Sequence, residues 1–572
     1  MNERDLLLRE LERQEAAYNA AMRAVTEPFS SPGYHTTLTE DIGDVHRTRT
    51  AAYYALALLD GGLTRHRERA YEVLARLVET QDTNPESKTF GIWSWFYEEP
   101  LTQMAPPDWN WADFIGKPLL LTLKRHSGTL PEPLRASVEQ AVRNACQAII
   151  RRNVGPHYTN IAIMGAFVTL CAGEWLGDAD VEAYGLARLQ RFYDYTMESG
   201  TFQEFNSPTY TTVAIEELSS ILTETRSPVA RRLAEELLDV AWSMCAERFH
   251  PRTGQWSGPH ARAYSELLQP HVLSFLQHAL GGRVTWLPEE AFHYHTMWYG
   301  NRIRCPAKFV SSFVEPRISS LVQPLLADAG GKQRYAVTYA TEDYSLATVS
   351  HGDLWNQRRS LLAYAATPSG PVYVHLRALH DGYDYTGAWL LAAQRDGRAL
   401  FGVHFATDGG DRHPNLHLIQ DGTIRAKDLR LRFEIGGAIE AVEADWLPRD
   451  GALPRCVGRI GELPLTIDLG AAVFGEHAIR YEVARDNGTI GVDVILYEGE
   501  ASDIRLAALE RAIVAGQFAL GASTAPYVAA TDGETCTLEA DGMRIAAPVR
   551  PAPIRELTER SVASTKQTEV TP

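Results

Sequence analysis

The sequence is poor in the features that announce many common functions. Its six cysteines (Cys146, Cys171, Cys245, Cys305, Cys456 and Cys536) are scattered through 572 residues and form no CxxC pair. That argues against a disulfide framework, and the helix-like surroundings of the first three suit buried free thiols. No stretch approaches the roughly 20 apolar residues of a membrane span. The N-terminus, "MNERDLLLRELERQEAAYNAAMRAV", is charged and amphipathic, without the basic start and apolar core of a secretion signal. These absences predict a cytoplasmic protein with no membrane partner. No GxGxxG opens a helix after a strand, and GxxxxGK[ST], GxSxG and HExxH are missing. Nucleotide binding, α/β-hydrolase chemistry and zincin chemistry therefore have no sequence support. Positive charge is also scarce. The formal net charge of −17 opposes nucleic-acid or anionic-membrane binding. It leaves room for an acidic substrate held by a local Arg/His cluster.

What is present divides into two textures. Hydrophobic content of 45% and charged content of 22% describe a globular protein, long enough for two or three domains. Up to about Gly282, segments such as "RERAYEVLARLVETQD", "PLRASVEQAVRNACQAIIRRN" and "YTNIAIMGAFVTLCAGEWLGD" carry apolar residues three and four apart. With an N-terminal helix and one at 111–125, about ten helices are predicted, in the helix–loop–helix rhythm of a bundle, a solenoid or an α/α toroid. From about Trp286, short alternating segments such as "RYAVTYATEDYSLATVSHG" and "LRLRFEIGG" predict an antiparallel β-sandwich. The expected division is a helical catalytic domain at 1–285, a sandwich at 286–545 and a loose tail at 546–572. Helices first and strands second argue against Rossmann and TIM-barrel enzymes.

Four polar–aromatic clusters lie between the helices. "GIWSWFYEEPLTQMAPPDWNWADF" sets Trp93, Trp95, Trp109 and Trp111 beside Glu98, Glu99, Asp108, Asn110 and Asp113. Such a set suits a sugar cleft, where rings stack on pyranose faces and polar groups bind hydroxyls. Buried tryptophans pinning a loop are the equal alternative. In "GPHYTNIAIMGAF", His157, Tyr158 and Asn160 precede an apolar helix, and capping accounts for only one of them. In "SGTFQEFNSPTY", Ser207 and Pro208 suit a helix start, which leaves Gln203, Glu204, Asn206 and Tyr210 for a ligand. In "GQWSGPHARAYSEL", His260 and Tyr264 share a face if a helix has begun, with Arg262 between them as a carboxylate clamp. His293 and His295 in "FHYHTMW" form a weak metal pattern and read better as structural imidazoles. "EDYSLATVSHGDLWNQRRSLL" gathers His351, Asp353, Trp355, Asn356, Gln357 and Arg358 in a strand-connecting loop that could lean against the helical domain.

The pieces "HYTNIAIMGAF", "EFNSPTY", "GPHARAY" and "YSLATVSHGDLWNQ" resemble the toroid-type polysaccharide lyases, a group that includes heparinase II/III-like, alginate and hyaluronate lyases. The resemblance implies an N-terminal incomplete (α/α) toroid followed by an antiparallel β-sandwich. It also implies β-elimination at a uronic acid in an acidic oligosaccharide, without a cofactor. By position, Asn206 and Asn160 would neutralise the sugar carboxylate and Arg262 would clamp it. His157, His260, Tyr210 and Tyr264 would be the proton-transfer candidates, and Trp95, Trp109, Asn110 and Glu204 would bind substrate. Unlike heparinase II-like enzymes, the chain shows no obvious structural-zinc cluster, and self-association stays open. Two competing readings remain: a glycoside hydrolase using Asp108, Asp113, Glu98 or Glu204, and a non-catalytic glycan-binding protein.

Overall fold

Apolar periodicity sets the helices. In the computed structural model, which describes residues 2–327, 331–409, 419 and 422–565, helix α1 (Glu3–Glu15) is followed by α2 (Thr48–Asp60) and α3 (Thr64–Glu79). Then come α4 (Trp111–His126), α5 (Glu132–Arg152), α6 (Thr159–Leu176) and α7 (Ala179–Ser199). The series continues with α8 (Pro208–Glu224), α9 (Pro228–Arg248) and α10 (Pro270–Ala279). The pairs α2/α3, α4/α5 and α6/α7 pack as hairpins, and α2, α4 and α6 pack on one another in turn. This is the repeated layering of an incomplete (α/α) toroid. Helix α6 is apolar on every side, as a helix covered all round must be. Its mean hydropathy of 1.3 would suit a membrane span, yet 89% of it is buried inside the protein. It meets α7 through glycines. A Cβ on Gly173 would lie 2.3 Å from the Glu182 nitrogen, and one on Gly185 would lie 2.3 Å from the Leu170 nitrogen. No larger residue permits that approach.

Two-residue alternation sets the sheets. A nine-stranded antiparallel sheet orders Arg480–Asp486, Thr489–Arg505, Thr423–Gly437, Gly370–His380, Leu361–Thr367, Tyr344–Val349, Arg334–Ala340 and Ser319–Leu325, with Tyr383–Asp384 paired to Gly370–His380. A seven-stranded sheet orders His351–Asp353, Ala388–Arg395, Arg398–Phe405, Ala512–Leu520, Leu463–Phe474, Ala452–Ile460 and Val442–Arg449. In "LRLRFEIGG", Leu431, Phe433 and Ile435 face the shared core. Arg430 and Arg432 take the other side and bind Asp493 at 2.8 and 2.7 Å. Phe433 stacks on Phe518 of the seven-stranded sheet with centroids 5.8 Å apart, so the two sheets form a sandwich with one apolar interior.

Three details depart from the sequence expectations. Strand pairs of two residues, such as Phe249–His250 with Gln255–Trp256, occur within the helical half. The sheets begin at Ser319, and 3₁₀ turns occupy Thr296–Trp298 and Ala307–Phe313 before them. The expected loose tail is built in as far as it is described. Met543–Pro548 and Val562–Thr565 pair in a four-stranded sheet, and α11 (Ile554–Arg560) lies between them. Cys536, Leu538, Ile545 and Ala547 of that sheet pack on Leu391, Leu400 and Ile513, because the outer face of the seven-stranded sheet is also apolar. Residues 566–572 of the expected tail lie outside the described residues. All six cysteines are buried, and none is in a disulfide.

By packing, the chain forms two units that are interleaved in sequence. The helical unit takes the chain up to Phe202, Tyr210–Trp242 and Pro270–Pro306. The second takes Gln203–Thr209, Ser243–Gln269 and the chain from Ala307 onward. A single boundary at residue 285 is therefore replaced by two excursions of the chain into the β-rich unit.

Candidate functional site

Two of the four clusters converge within the second unit. Residues 257–264 form an irregular, non-helical stretch containing a cis Gly258–Pro259 peptide. The hydroxyl of Thr338 donates to Gly258 O at 2.7 Å, which ties the turn to the nine-stranded sheet. His260 and Arg359 exchange backbone hydrogen bonds of 3.2 and 3.0 Å. The Ala261 N–H donates to Phe205 O at 3.0 Å and the Ala263 N–H to Gln357 O at 2.6 Å. Ser207, directly before α8, donates its hydroxyl to Arg262 O at 2.6 Å. The stretches 204–207, 257–264 and 355–359 thus form one backbone frame.

Within that frame the expected roles separate. Asn206 has left-handed backbone (φ 50°) and is 0% exposed. Its amide donates to Ser257 O at 2.8 Å and Pro259 O at 2.9 Å, and its Oδ1 accepts from the Trp256 indole at 2.5 Å. With both amide hydrogens and the carbonyl engaged, Asn206 clamps the turn; it is not arranged as a free neutraliser of a carboxylate. His260 is buried, with Nδ1 2.5 Å from Asn206 O. Burial pushes its pKa down to about 3, so it is a neutral structural imidazole in this arrangement. Because no helix forms here, His260 and Tyr264 share no helical face, and Tyr264 is 56% exposed.

Arg262 sits at the centre. Its Nε and Nη2 donate to Gln357 Oε1 at 2.9 and 2.6 Å, and its Nη1 lies 3.3 Å from Glu204 Oε1. Its Nη2 also donates to the Tyr264 hydroxyl at 3.3 Å. The guanidinium lies 5.5 Å from the Trp355 ring centroid, a cation–π distance. Its side chain is 22% exposed. Next along the loop, Asn356 donates to the exposed Tyr383 hydroxyl at 2.7 Å. Behind it, Glu266 pairs with Arg359 at 3.0 Å and lies 3.6 Å from His375. Burial alone would raise Glu266, but His375 and Arg359 outweigh it and hold the carboxyl at about 2. Sequence reading named Gln357 and Trp355 only as loop residues. Arg359, Glu266, His375 and Tyr383 carry no local pattern that marks them.

The other candidates belong to the helical unit. Trp93 and Trp111 are buried, and Trp95, 9% exposed, stacks on Trp111 and donates to Asp108 at 3.1 Å. These three are structural, which corrects the sugar-binding expectation for Trp95. Trp109 alone keeps a 36% exposed ring. Asn110 accepts from Arg152 at 2.5 Å and donates to Tyr158 at 3.4 Å. His157 is exposed and Asn160 is buried in the first turn of α6, whose N-cap residue is Tyr158. Tyr210 is half-buried on α8. Of the carboxylates proposed for hydrolysis, Glu98 binds His46 at 2.5 Å and Asp108 holds Trp95. Asp113 is buried, and burial raises its pKa to about 7.

The helical unit also holds a buried charge cluster that sequence reading missed. Lys117 on α4 contacts Glu216 at 2.9 Å and Glu217 at 2.5 Å on α8. Burial lifts Glu217 to about 7, whereas Lys117 draws Glu216 below its ordinary value against the same burial. The signal was a lone cation in the apolar run "WADFIGKPLLLTL". His295 lies 3.9 Å from Glu216, and His293 lies 3.1 Å from Arg13, so the HxH pair splits between different partners. Among the described residues, no group of three His, Cys, Asp or Glu is placed to hold a metal ion.

No curated protein matches the chain by sequence. Solved structures similar to it include the Streptomyces coelicolor A3 chondroitin AC lyase in complex with chondroitin sulphate, at 12% identity, 95% of this chain, 85% of that chain and a TM-score of 0.49. Heparinase III matches at 11% identity over 88% and 82% of the two chains, with a TM-score of 0.43. A mutant of heparan sulfate lyase HepC from Pedobacter heparinus matches at 8% identity over 95% and 94%, with a TM-score of 0.36. The likeness is one of architecture. Residues 15–291, most of the helical half, match the family model described as Domain of unknown function (DUF8769).

Proposed function

We propose that the protein is a lyase that cleaves an acidic oligosaccharide by β-elimination beside a uronate carboxylate. The observation that carries this reading is the Arg262–Tyr264 pair, a partly exposed guanidinium bonded at 3.3 Å to an exposed phenol. Elimination needs these two functions together. The C5 proton of a uronate leaves only when the C6 carboxylate is neutralised, so that charge can spread into it. Arg262, held by Gln357 and Glu204, offers positive charge for that neutralisation. A base takes H5, the C–H electrons form the C4–C5 double bond, the C4–O4 bond breaks, and O4 receives a proton. Tyr264 is the proton carrier nearest the clamp. Asn206 and His260 act through position, holding the turn that presents Arg262 and Tyr264.

The hydrolase reading is less well supported, because Glu98 and Asp108 already serve other side chains and Glu204 serves Arg262. The test is a panel of uronate-containing oligosaccharides read by ultraviolet absorbance and mass. The expected product carries a 4,5-unsaturated uronate, and fragment masses sum to the substrate. Fragments that sum to substrate plus water, without new absorbance, would overturn the proposal in favour of hydrolysis.

A further inference from the structure

The helical unit contains a second polar cavity, apart from the groups above. It measures about 430 Å³ and lies among α8, α9 and residues 301–306. That volume is within the range of small-molecule sites, roughly 300–1,000 Å³. Arg231, Arg302 and Arg304, all exposed, line it with Glu235, Asp239, Asn301 and Trp242. Elsewhere in this acidic chain, less exposed arginines hold carboxylates: Arg125 pairs with Asp60 and Glu224, and Arg377 with Asp384 and Glu434. Among the described residues, the side chains of Arg231, Arg302 and Arg304 have neither a hydrogen bond nor a carboxylate within 4.0 Å. Three cations against the two carboxylates of Glu235 and Asp239 leave the lining net positive in a protein of net charge −17.

The wall that carries two of them is fixed. The Asn301 amide donates to Met297 O at 2.6 Å, and the Thr223 hydroxyl reaches Asn301 O at 3.3 Å. The Cys305 N–H donates to Ala279 O at 2.9 Å. Arg302 is held at φ 52°, a conformation non-glycine residues seldom adopt. Asn301 is 1% exposed, and its Oδ1 has no hydrogen-bond partner. Arg304 also lines an adjoining cavity of about 630 Å³, with Arg9 and His278. His278 is half-buried there, and its Nε2 makes no hydrogen bond but lies 3.6 Å from Glu3 Oε1.

We propose that this cavity binds a hydroxylated carboxylate of the sugar-acid class, its anionic group on Arg302 and Arg304 and its hydroxyls facing Asn301 and Asp239. Choosing a sugar acid over another hydroxylated anion rests on the proposed function; the case for an anion does not. Ser219 and Thr223 line the cavity, 9 and 13 residues beyond Tyr210 on the same helix. That places it about 14–20 Å along the helix from Tyr210. The same chemistry reaches the cavity from two sources, a free monosaccharide uronate or the end of an acidic chain, and the adjoining cavity has room for the second.

The test is calorimetric titration of the full chain with glucuronate, glucose, sulfate and a uronate tetrasaccharide at fixed ionic strength. Glucuronate or the tetrasaccharide is expected to bind and glucose is not. If only the tetrasaccharide binds, the site reads a chain end. An Arg302→Ala/Arg304→Ala variant is expected to weaken binding about tenfold or more, whereas Arg262→Ala leaves a binding event intact. An Arg302→Lys/Arg304→Lys variant with a wild-type melt and partial binding guards against a folding defect. The inference is overturned if no uronate binds, or if sulfate binds as well as glucuronate. It is also overturned if the double alanine variant binds normally while Arg262→Ala does not. Uronate binding through Arg302 and Arg304, with no cleavage of any glycan in the panel, would leave this site standing and remove the lyase proposal.

Discussion

The segments 91–114 in the helical unit and 257–266 in the β-rich unit contain similar chemistry, yet the fold uses them differently. In the first, Trp95 lies on Trp111 and bonds Asp108, Trp93 bonds Leu77 O, and Trp111 bonds the Thr48 hydroxyl. These three indole N–H groups are all spent on neighbouring residues. In the second, Asn206, Ser207 and Gln357 saturate the backbone, so Arg262 and Tyr264 can project from it. Residue type alone does not make a site. A site arises where a hydrogen-bonded frame holds a few charged and phenolic groups at its surface in fixed positions.

Four experiments would break or sharpen that contrast. The largest effect is expected from Tyr264→Phe, which should cut kcat by about 10²–10⁴-fold with KM little changed and the melt unaltered. A matching fall for Tyr210→Phe alone, with Tyr264→Phe near wild type, would move the proton carrier to the helical unit. Second, Lys117→Met should cost about 3–5 kcal/mol in urea denaturation, because it strands two buried carboxylates. Adding Glu216→Gln and Glu217→Gln should recover most of the loss; a failure to recover would mean Lys117 acts through packing. Third, Trp95→Ala should destabilise by about 3–5 kcal/mol with kcat per folded molecule retained. Trp109→Ala should change stability by about 0.5 kcal/mol or less and raise KM. Equal stability losses would erase the distinction drawn between the two rings.

The smallest effect concerns acid. Burial lowers both His260 and His404 to about 3, and the ring nitrogens of His404 have no hydrogen-bond partner. Unfolded histidine takes up a proton near pH 6.5, whereas these two resist until about pH 3. Stability should therefore fall as pH drops from 6.5, by at most about 1.4 kcal/mol per pH unit per group. His404→Leu should flatten the melting temperature between pH 7 and 5. An unchanged slope would show that His404 contributes nothing to acid sensitivity.

Periodicity made much of the architecture legible. The helix read at 111–125 is α4 at Trp111–His126, and the alternation of "LRLRFEIGG" gives the observed inner and outer faces. Long-range pairing was not legible. Nothing local tells that Ser243–Gln269 packs with strands some 80 or more residues away, or that Gln203–Thr209 joins the same unit. Arg262 stood out as a candidate because His, Arg and Tyr follow a Gly-Pro turn. Its supporting partners Gln357 and Glu204 lie 95 and 58 positions away. The same limit hid which of Trp95 and Trp109 would be covered, since both stand in equally aromatic surroundings.

The interleaving of the two units also sets an order of events during synthesis. The Ser257 hydroxyl meets that of Ser345, 88 residues later, and Thr338 bonds Gly258 across 80. At roughly 5–20 residues per second a ribosome needs about 4–18 s to supply those partners. Until then Phe205, Phe249 and Trp256, all buried in the finished fold, wait without their sheet. A gene cut after residue 285 would make that wait permanent, so truncated helical halves should be chaperone clients or inclusion bodies, and the unit of folding is the whole chain.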